Sequence, residues 1–157
     1  MPQLYFIGDS NTGKSHIIHS LINPTEQYNP IITIGLCLKK YTIENKTVQI
    51  WDCSGYKMFY PFIRDFIRMA PFVCIVCNIH CQSSVFSLIY HRSNIKHIPY
   101  YILINTYSPN SDTEPNIILK LTKYMNKFYP DRYSFINSNN PNNVNKVMNK
   151  ILKKYIV

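Results

Sequence analysis

Glycine is scarce in this chain, with four in 157 residues, where average usage of about 7% would give roughly eleven. A Gly-X-Y fibre and a flexible Gly-rich linker are both excluded. Alanine is used sparingly too, while Ile, Asn, Lys and Tyr are abundant, as expected of codons from an AT-rich genome. Acidic residues number eight against 17 Lys and Arg, a formal net charge of +9. The lysines are scattered, except that Lys146, Lys150, Lys153 and Lys154 gather near the end without an acid among them. A solvated helix face explains that group as well as an acidic membrane does, and no nucleic-acid partner is expected. The four arginines form no cluster.

No apolar run approaches the ~18 residues that suggest a membrane span. No signal peptide is expected, since the first motif begins almost at Met1. The closing Lys-Lys-Tyr-Ile-Val lacks a cysteine, so no lipid anchor is expected. Cysteine is odd in number, at Cys37, Cys53, Cys74, Cys77 and Cys81. Cys74 and Cys77 have CxxC spacing, but their Val, Ile and Phe neighbours read as a buried strand with core thiols. Free thiols fit a reducing, cytoplasmic setting, with a peripheral membrane position left open. At 46% hydrophobic residues, the length fits one domain spanning 1–157.

Short apolar runs alternate with longer mixed segments, the pattern of helices covering a largely parallel sheet. Strands are expected at Leu4–Ile7, Leu36–Ile43, Thr47–Trp51, Phe72–Asn78, Tyr100–Asn105 and Tyr133–Ile136. The second and third form a hairpin through Glu44-Asn45-Lys46. Helices are expected at Lys14–Leu21, Ser84–Ile95, Asn116–Phe128 and Val144–Tyr155, with a loop at Asn137–Asn143. In Asn116–Phe128, Ile118, Leu121, Met125 and Phe128 make one apolar stripe.

Gly8-Asp9-Ser10-Asn11-Thr12-Gly13-Lys14-Ser15 satisfies G-x-x-x-x-G-K-[ST] between a strand and a helix. The glycines let the backbone curl until successive N–H groups converge on phosphate oxygens. The helix adds its positive end. Lys14 would neutralise the outer phosphates, and the Ser15 hydroxyl would ligate Mg2+. The other glycines, Gly35 and Gly55, stand in Thr33-Ile34-Gly35 and Asp52-Cys53-Ser54-Gly55. Asp52 could hold Mg2+ through water, Gly55 could offer its N–H to the terminal phosphate, and Thr33 could close over the metal.

This order of motifs resembles the Ras superfamily, and its Rab family most. The resembling residues are Gly8–Ser15, Thr33–Gly35, Trp51–Gly55, Phe59, Arg68-Met69-Ala70 and Ser84-Val85-Phe86. The resemblance implies an α/β P-loop NTPase fold, the Ras-like G domain: a mostly parallel six-stranded sheet with helices on both faces. It implies a monomeric GTP/GDP-binding switch with Mg2+. Nucleotide contacts would come from Gly8, Asp9, Ser10, Asn11, Thr12, Gly13, Lys14, Ser15, His16, Asn105 and Ser138. Metal contacts would come from Ser15, Thr33 and Asp52, and catalysis would involve Lys14, Thr33 and Gly55. Leu38, Trp51 and Phe66 fall where Rab proteins place an apolar effector-binding trio, and core packing is an equal alternative for Phe59 and Phe66.

Three departures qualify the resemblance. Tyr56 stands where the family has the glutamine that orients the attacking water, so hydrolysis should be slow. Asn105-Thr106-Tyr107-Ser108 stands where the family reads guanine with Asn-Lys-x-Asp, so base selectivity should relax. Ser138-Asn139-Asn140 matches the later Ser-Ala-Lys motif only loosely. The histidines show no metal-binding spacing and read as surface or packing residues. Three readings remain: a slow switch in trafficking or signalling, a non-hydrolysing decoy that engages Rab partners, and a small P-loop kinase. The last is weakest, because an arginine-rich lid is missing.

Overall fold

The computed structural model describes residues Met1–Val157. Its strands are β1 (Gln3–Ile7), β2 (Leu36–Ile43), β3 (Lys46–Cys53), β4 (Val73–Asn78), β5 (Tyr100–Asn105) and β6 (Tyr133–Ile136). Its helices are α1 (Lys14–Ile22), α2 (Tyr60–Arg68), α3 (Gln82–Asn94), α4 (Pro115–Phe128) and α5 (Pro141–Tyr155), with a single 3-10 turn at Lys57–Phe59. The strands form one sheet in the order β2-β3-β1-β4-β5-β6. Only β2 and β3 run antiparallel. This is an α/β fold, a mostly parallel six-stranded sheet with helices on both faces.

The alternation of each strand divides the core between the two faces of the sheet. Leu4, Phe6, Cys74, Val76, Tyr101 and Leu103 point to the face covered by Ile17 and Leu21 of α1 and Met148 and Leu152 of α5. Tyr5, Ile7, Val73, Ile75, Ile102 and Ile104 point to the other, under Ile63 of α2, Leu88 of α3 and Met125 of α4. The CxxC pair obeys the same rule. Cys74 and Cys77 lie on opposite faces of β4 and are both free. Burial raises both thiols, Cys77 to about 12, so they pack as small apolar groups.

The β2–β3 hairpin turns on Glu44 and Asn45, both left-handed at φ 48° and 63°. That is the geometry of a two-residue turn whose twist matches its strands. Lys46 already pairs with Ile43, so the expected three-residue turn is one residue shorter. Three other expectations are corrected. The third strand runs past Trp51 through Cys53, which places Asp52 inside the ladder opposite Phe6 of β1. The stretch Asn137–Asn143 is not all loop. Asn140 caps α5 by accepting from the Asn143 N–H, and Pro141 occupies the first turn, where its missing donor costs nothing. In α4, Met125 is fully buried and Ile118 and Leu121 pack on the core, but Phe128 is 54% exposed.

No helix is long and apolar enough to cross a membrane. The sheet order switches sides at β1, whose neighbours β3 and β4 lead away in opposite directions. In open α/β sheets the crevice at the carboxyl end of such a strand receives the ligand. The Gly8–Ser15 loop leaves β1 at that point.

Leu103 is fully buried at the centre of β5. Leu103→Ala should cost about 3 kcal/mol in urea unfolding, the typical loss for a core cavity. A loss below about 1 kcal/mol would contradict the packing described.

Candidate functional site

The loop from Gly8 to Gly13 curls back over the end of β1. Gly13 has φ 97° and leads into α1, and its missing Cβ leaves room for the Asn105 amide. Asn11 is left-handed at φ 61°, a conformation that asparagine tolerates. Gly55, beyond the end of β3, lies so close to the main chain of Asp9 and Ser10 that a side chain there would collide with it. Glycine is therefore kept where two loops must touch. The buried Thr12 hydroxyl donates to the Asp9 carbonyl at 3.0 Å and tightens the curl.

Lys14 is only 6% exposed. Its ammonium donates to the carbonyls of Gly8 (2.9 Å) and Asp9 (2.6 Å). Burial lowers its pKa to about 8, against the opposing pull of Asp52, Cys53 and Asp9. A cation held in this way carries uncompensated charge that an anion in the loop would neutralise.

The second cluster is made of hard oxygens. Ser15 Oγ donates to Asp52 Oδ2 at 2.5 Å and lies 2.9 Å from Thr33 Oγ1. Thr33 Oγ1 in turn lies 3.2 Å from the same carboxylate oxygen. The three residues expected around a metal are thus brought together from α1, the α1–β2 segment and β3. Asp52 is 5% exposed, and its other oxygen, Oδ1, is buried with no hydrogen-bond partner. Burial raises its pKa despite the Ser15 and Thr33 hydrogen bonds and the charge of Lys14. A buried carboxylate with an unused oxygen beside two hydroxyls suits a small dication, directly or through water.

At the opposite end Asn105 is 1% exposed and fully engaged. Its amide donates to the Thr12 carbonyl and Ser138 Oγ, both at 3.1 Å. Its oxygen accepts from the N–H groups of Tyr107 and Ser138, both at 3.2 Å. Asn105 thereby ties the phosphate loop to two other loops. Beside it, His16 Nδ1 lies 3.2 Å from Ser138 Oγ, and the His16 ring stacks on Tyr28 at 4.4 Å. A cavity of about 260 Å³ joins these parts, from Ser10 and Lys14 past Thr33, Gly55 and Tyr56 to Asn105, Tyr107 and Ser138.

Sequence reasoning missed several residues. The buried His91 of α3 donates from Nε2 to Asp9 Oδ1 at 2.8 Å, while its Nδ1 has no partner. Burial lowers its pKa more than Asp9 restores it. Asn78 holds the Tyr107 carbonyl at 3.0 Å, and His80 braces the loop after β5 through Thr106 O and Thr113 Oγ1. No group of three or more His, Cys, Asp or Glu side chains gathers to hold a metal. His16, expected among the nucleotide contacts, lines the cavity, and the buried His91 packs in α3 while holding Asp9 of the loop. Spacing could not reveal the His91 contact, because Asp9 is 82 residues away.

Of the proposed apolar trio, Leu38 (39% exposed) and Trp51 sit directly opposite each other on β2 and β3. Trp51 is half-buried and stacks on Tyr5 at 5.8 Å. Phe66, on α2, is 46% exposed. It belongs to the surface and not to the core.

A family model described as Roc, Ras of Complex, domain of DAPkinase, matches residues 3–108. Ras-related protein RabL of Dictyostelium discoideum is 28% identical over 125 residues, covering 74% of this chain and 61% of that protein. GTP-binding protein ypt1 of Schizosaccharomyces pombe is 35% identical over 86 residues, covering 52% and 42%. Ras-related protein Rab-44 of Mus musculus is 30% identical over 83 residues, covering 50% and 8%. The chain therefore spans less than two-thirds of the length of these relatives.

Two predictions follow from the buried charges. Because an anion favours the charged form of Lys14, affinity for Mg2+-nucleotide should be flat below about pH 8 and fall up to about tenfold per pH unit above it. Calorimetric titration across that range tests this, and a flat profile contradicts it. Burial raises the Asp52 pKa, so stability falls as pH rises from the ordinary carboxylate value to the folded one, and the full cost of the charged form is present above it. Asp52→Asn should raise the ligand-free melting temperature by about 2–4 °C, the effect of roughly 1 kcal/mol, and abolish stabilisation by Mg2+-nucleotide. A lower melting temperature with Mg2+ stabilisation intact would refute it. The matched span, the sheet order and the shared motifs lead to one conclusion: the chain belongs to the Ras superfamily and is most like its Rab branch.

Proposed function

We propose that the chain is a guanine-nucleotide-binding switch that holds GTP or GDP with Mg2+ and hydrolyses GTP slowly. The observation that carries this reading is the pairing of a buried, anion-seeking Lys14 with the Ser15–Thr33–Asp52 oxygen cluster in one cavity. The backbone of Ser10 to Ser15 would cradle the phosphates, and Gly55 would offer its N–H from the facing loop. Ser15, Thr33 and, through water, Asp52 would hold Mg2+, which supplies charge neutralisation on the phosphates. Thr33 lies on a segment with neither helix nor strand, Asn23–Gly35, which could therefore answer the loss of a terminal phosphate.

Tyr56 lines the cavity where a water-orienting side chain is needed. Its N–H donates to Ser54 Oγ at 3.3 Å, and its phenol must donate and accept at one oxygen, where an amide offers a separate oxygen and NH2 to water and phosphate. Slow turnover follows. An exposed apolar belt flanks the site: Ile31, Ile32 and Ile34 before β2, and Phe62, Phe66 and Met69 on α2. Patches of this kind mark protein contacts, which supports effectors or regulators as partners. The second reading, a decoy that keeps nucleotide as a structural ligand, is favoured by the same Tyr56. We read 1–157 as one functional unit, acting in trafficking or signalling from a reducing compartment.

A single-turnover assay separates the two readings. We expect wild-type hydrolysis to be slower than that of Tyr56→Gln by about tenfold or more, since positioning of the attacking water is a recurring part of this chemistry. Equal rates would remove the role assigned to position 56, and fast wild-type turnover would defeat the decoy reading.

A further inference from the structure

The sheet ends at β6, which has β5 on one side and no strand on the other. The carbonyls of Arg132 and Ile136 accept from the N–H groups of Ile102 and Thr106 of β5 and its end, both at 2.8 Å. Main-chain groups alternate in direction along a strand, so those of Tyr133 and Phe135 face away from β5. The Tyr133 carbonyl is taken by the Tyr101 hydroxyl at 2.8 Å. The Tyr133 N–H and both main-chain groups of Phe135 meet no strand. Such an edge is a template for another chain, and proteins blunt it with Lys, Pro or a bulge. Tyr133-Ser134-Phe135-Ile136 has no Lys or Pro, and its register with β5 is unbroken.

The edge opens into a groove of about 870 Å³ between α4 and α5. Ile118, Thr122 and Asn126 of α4 line one wall, and Lys146, Lys150 and Lys154 of α5 line the other. Spacing by four sets these lysines in one row along the helix. All three are exposed and none forms a salt bridge, whereas Lys153 beside them pairs with Glu44. The one acid lining the groove, Asp131, stands at the Lys154 end. We propose that this groove takes an extended acidic segment of a partner protein, which adds a further strand at β6 and sets carboxylates against Lys146 and Lys150.

The spacings agree. Alternate residues of a strand lie about 6.6 Å apart, and helix positions four apart are separated by about 6 Å. Acidic side chains at every second position thus meet successive lysines. The residues between them turn to the α4 side, where Ile118, Tyr133 and Phe135 are partly buried apolar surface. The partner segment is therefore alternately acidic and apolar. A second copy of this chain does not suit the groove, because two-fold pairing of β6 edges would bring two lysine rows together. An anionic bilayer suits it less well than a strand, since a flat surface does not reach main-chain groups at the floor of a groove. No residue lines both this groove and the nucleotide cavity, so the two sites can be tested separately.

The test is an anisotropy titration of labelled, end-capped octapeptides into the full chain. One peptide alternates Glu and Val, one alternates Lys and Val, and two are Glu–Val peptides N-methylated on the valines or on the glutamates. Vesicles of phosphatidylserine and phosphatidylcholine are a further probe. Strand addition predicts that the Glu–Val peptide binds at least about tenfold tighter than the Lys–Val peptide. Only one peptide edge meets β6, so one N-methylated version should lose about tenfold while the other binds like the parent. Lys146→Glu with Lys150→Glu should weaken the parent by about tenfold or more, with the fold checked by melting and Mg2+-nucleotide affinity unchanged. Lys146→Arg with Lys150→Arg should retain binding. Equal binding of the parent and both N-methylated peptides overturns strand addition. Vesicle binding that the Glu variant abolishes, with no peptide bound, overturns it in favour of a membrane contact. Failure of every probe to bind leaves a solvated helix face and overturns it as well.

Discussion

The structure depends on one arrangement of charge: a buried ammonium, Lys14, and a buried carboxylate, Asp52, facing one cavity with neither fully compensated. Neither is cheap to keep. Burial pushes the Lys14 pKa down to about 8 and the Asp52 pKa up, each toward its neutral form. The chain offsets this in part with the loop carbonyls around Lys14 and the Ser15 and Thr33 hydroxyls around Asp52. The rest is left for a ligand that brings both signs, a polyphosphate and a dication. Without that ligand the site is a set of desolvated polar groups with no stabilising purpose.

The sheet makes this arrangement possible. Parallel pairing of β1 with β3 puts Asp52 beside Phe6, two residues before the phosphate loop begins. Pairing of β1 with β4 sets the other wall, and β5 delivers Asn105 to the back of the loop. The two core layers hold these strand ends in register, so the loops can be irregular while their origins are fixed. His91 of α3 adds a further tie through Asp9, linking the loop to a helix on the opposite face from α1.

Much of this was legible in the sequence, for identifiable reasons. The phosphate loop could be read because its chemistry demands particular residues at fixed spacing. The strands could be read because both faces of β4 and β5 are buried and their runs are continuously apolar. The scarcity of glycine made the four retained ones informative, and Gly55 proves to sit where two loops touch. Element ends were less legible. Asp52 seemed to follow its strand because a carboxylate rarely belongs in a ladder, and the start of α5 was hidden in an Asn-rich stretch whose capping role depends on Asn140. The helix α2 was not foreseen, although Ile63 and Ile67 stand one turn apart and are both buried, because its other apolar residues, Phe62 and Phe66, face outward. The tie from His91 to Asp9 was not legible, because it is a contact made across the whole fold.

The most direct test of the central claim is native mass spectrometry of the freshly purified chain, followed by denaturing analysis of whatever is released. The account predicts an added mass equal to GDP or GTP with Mg2+, lost together with a drop in melting temperature on treatment with a chelator. A chain that carries no nucleotide, and whose melting temperature does not respond to saturating Mg2+ with GDP or GTP, would contradict it.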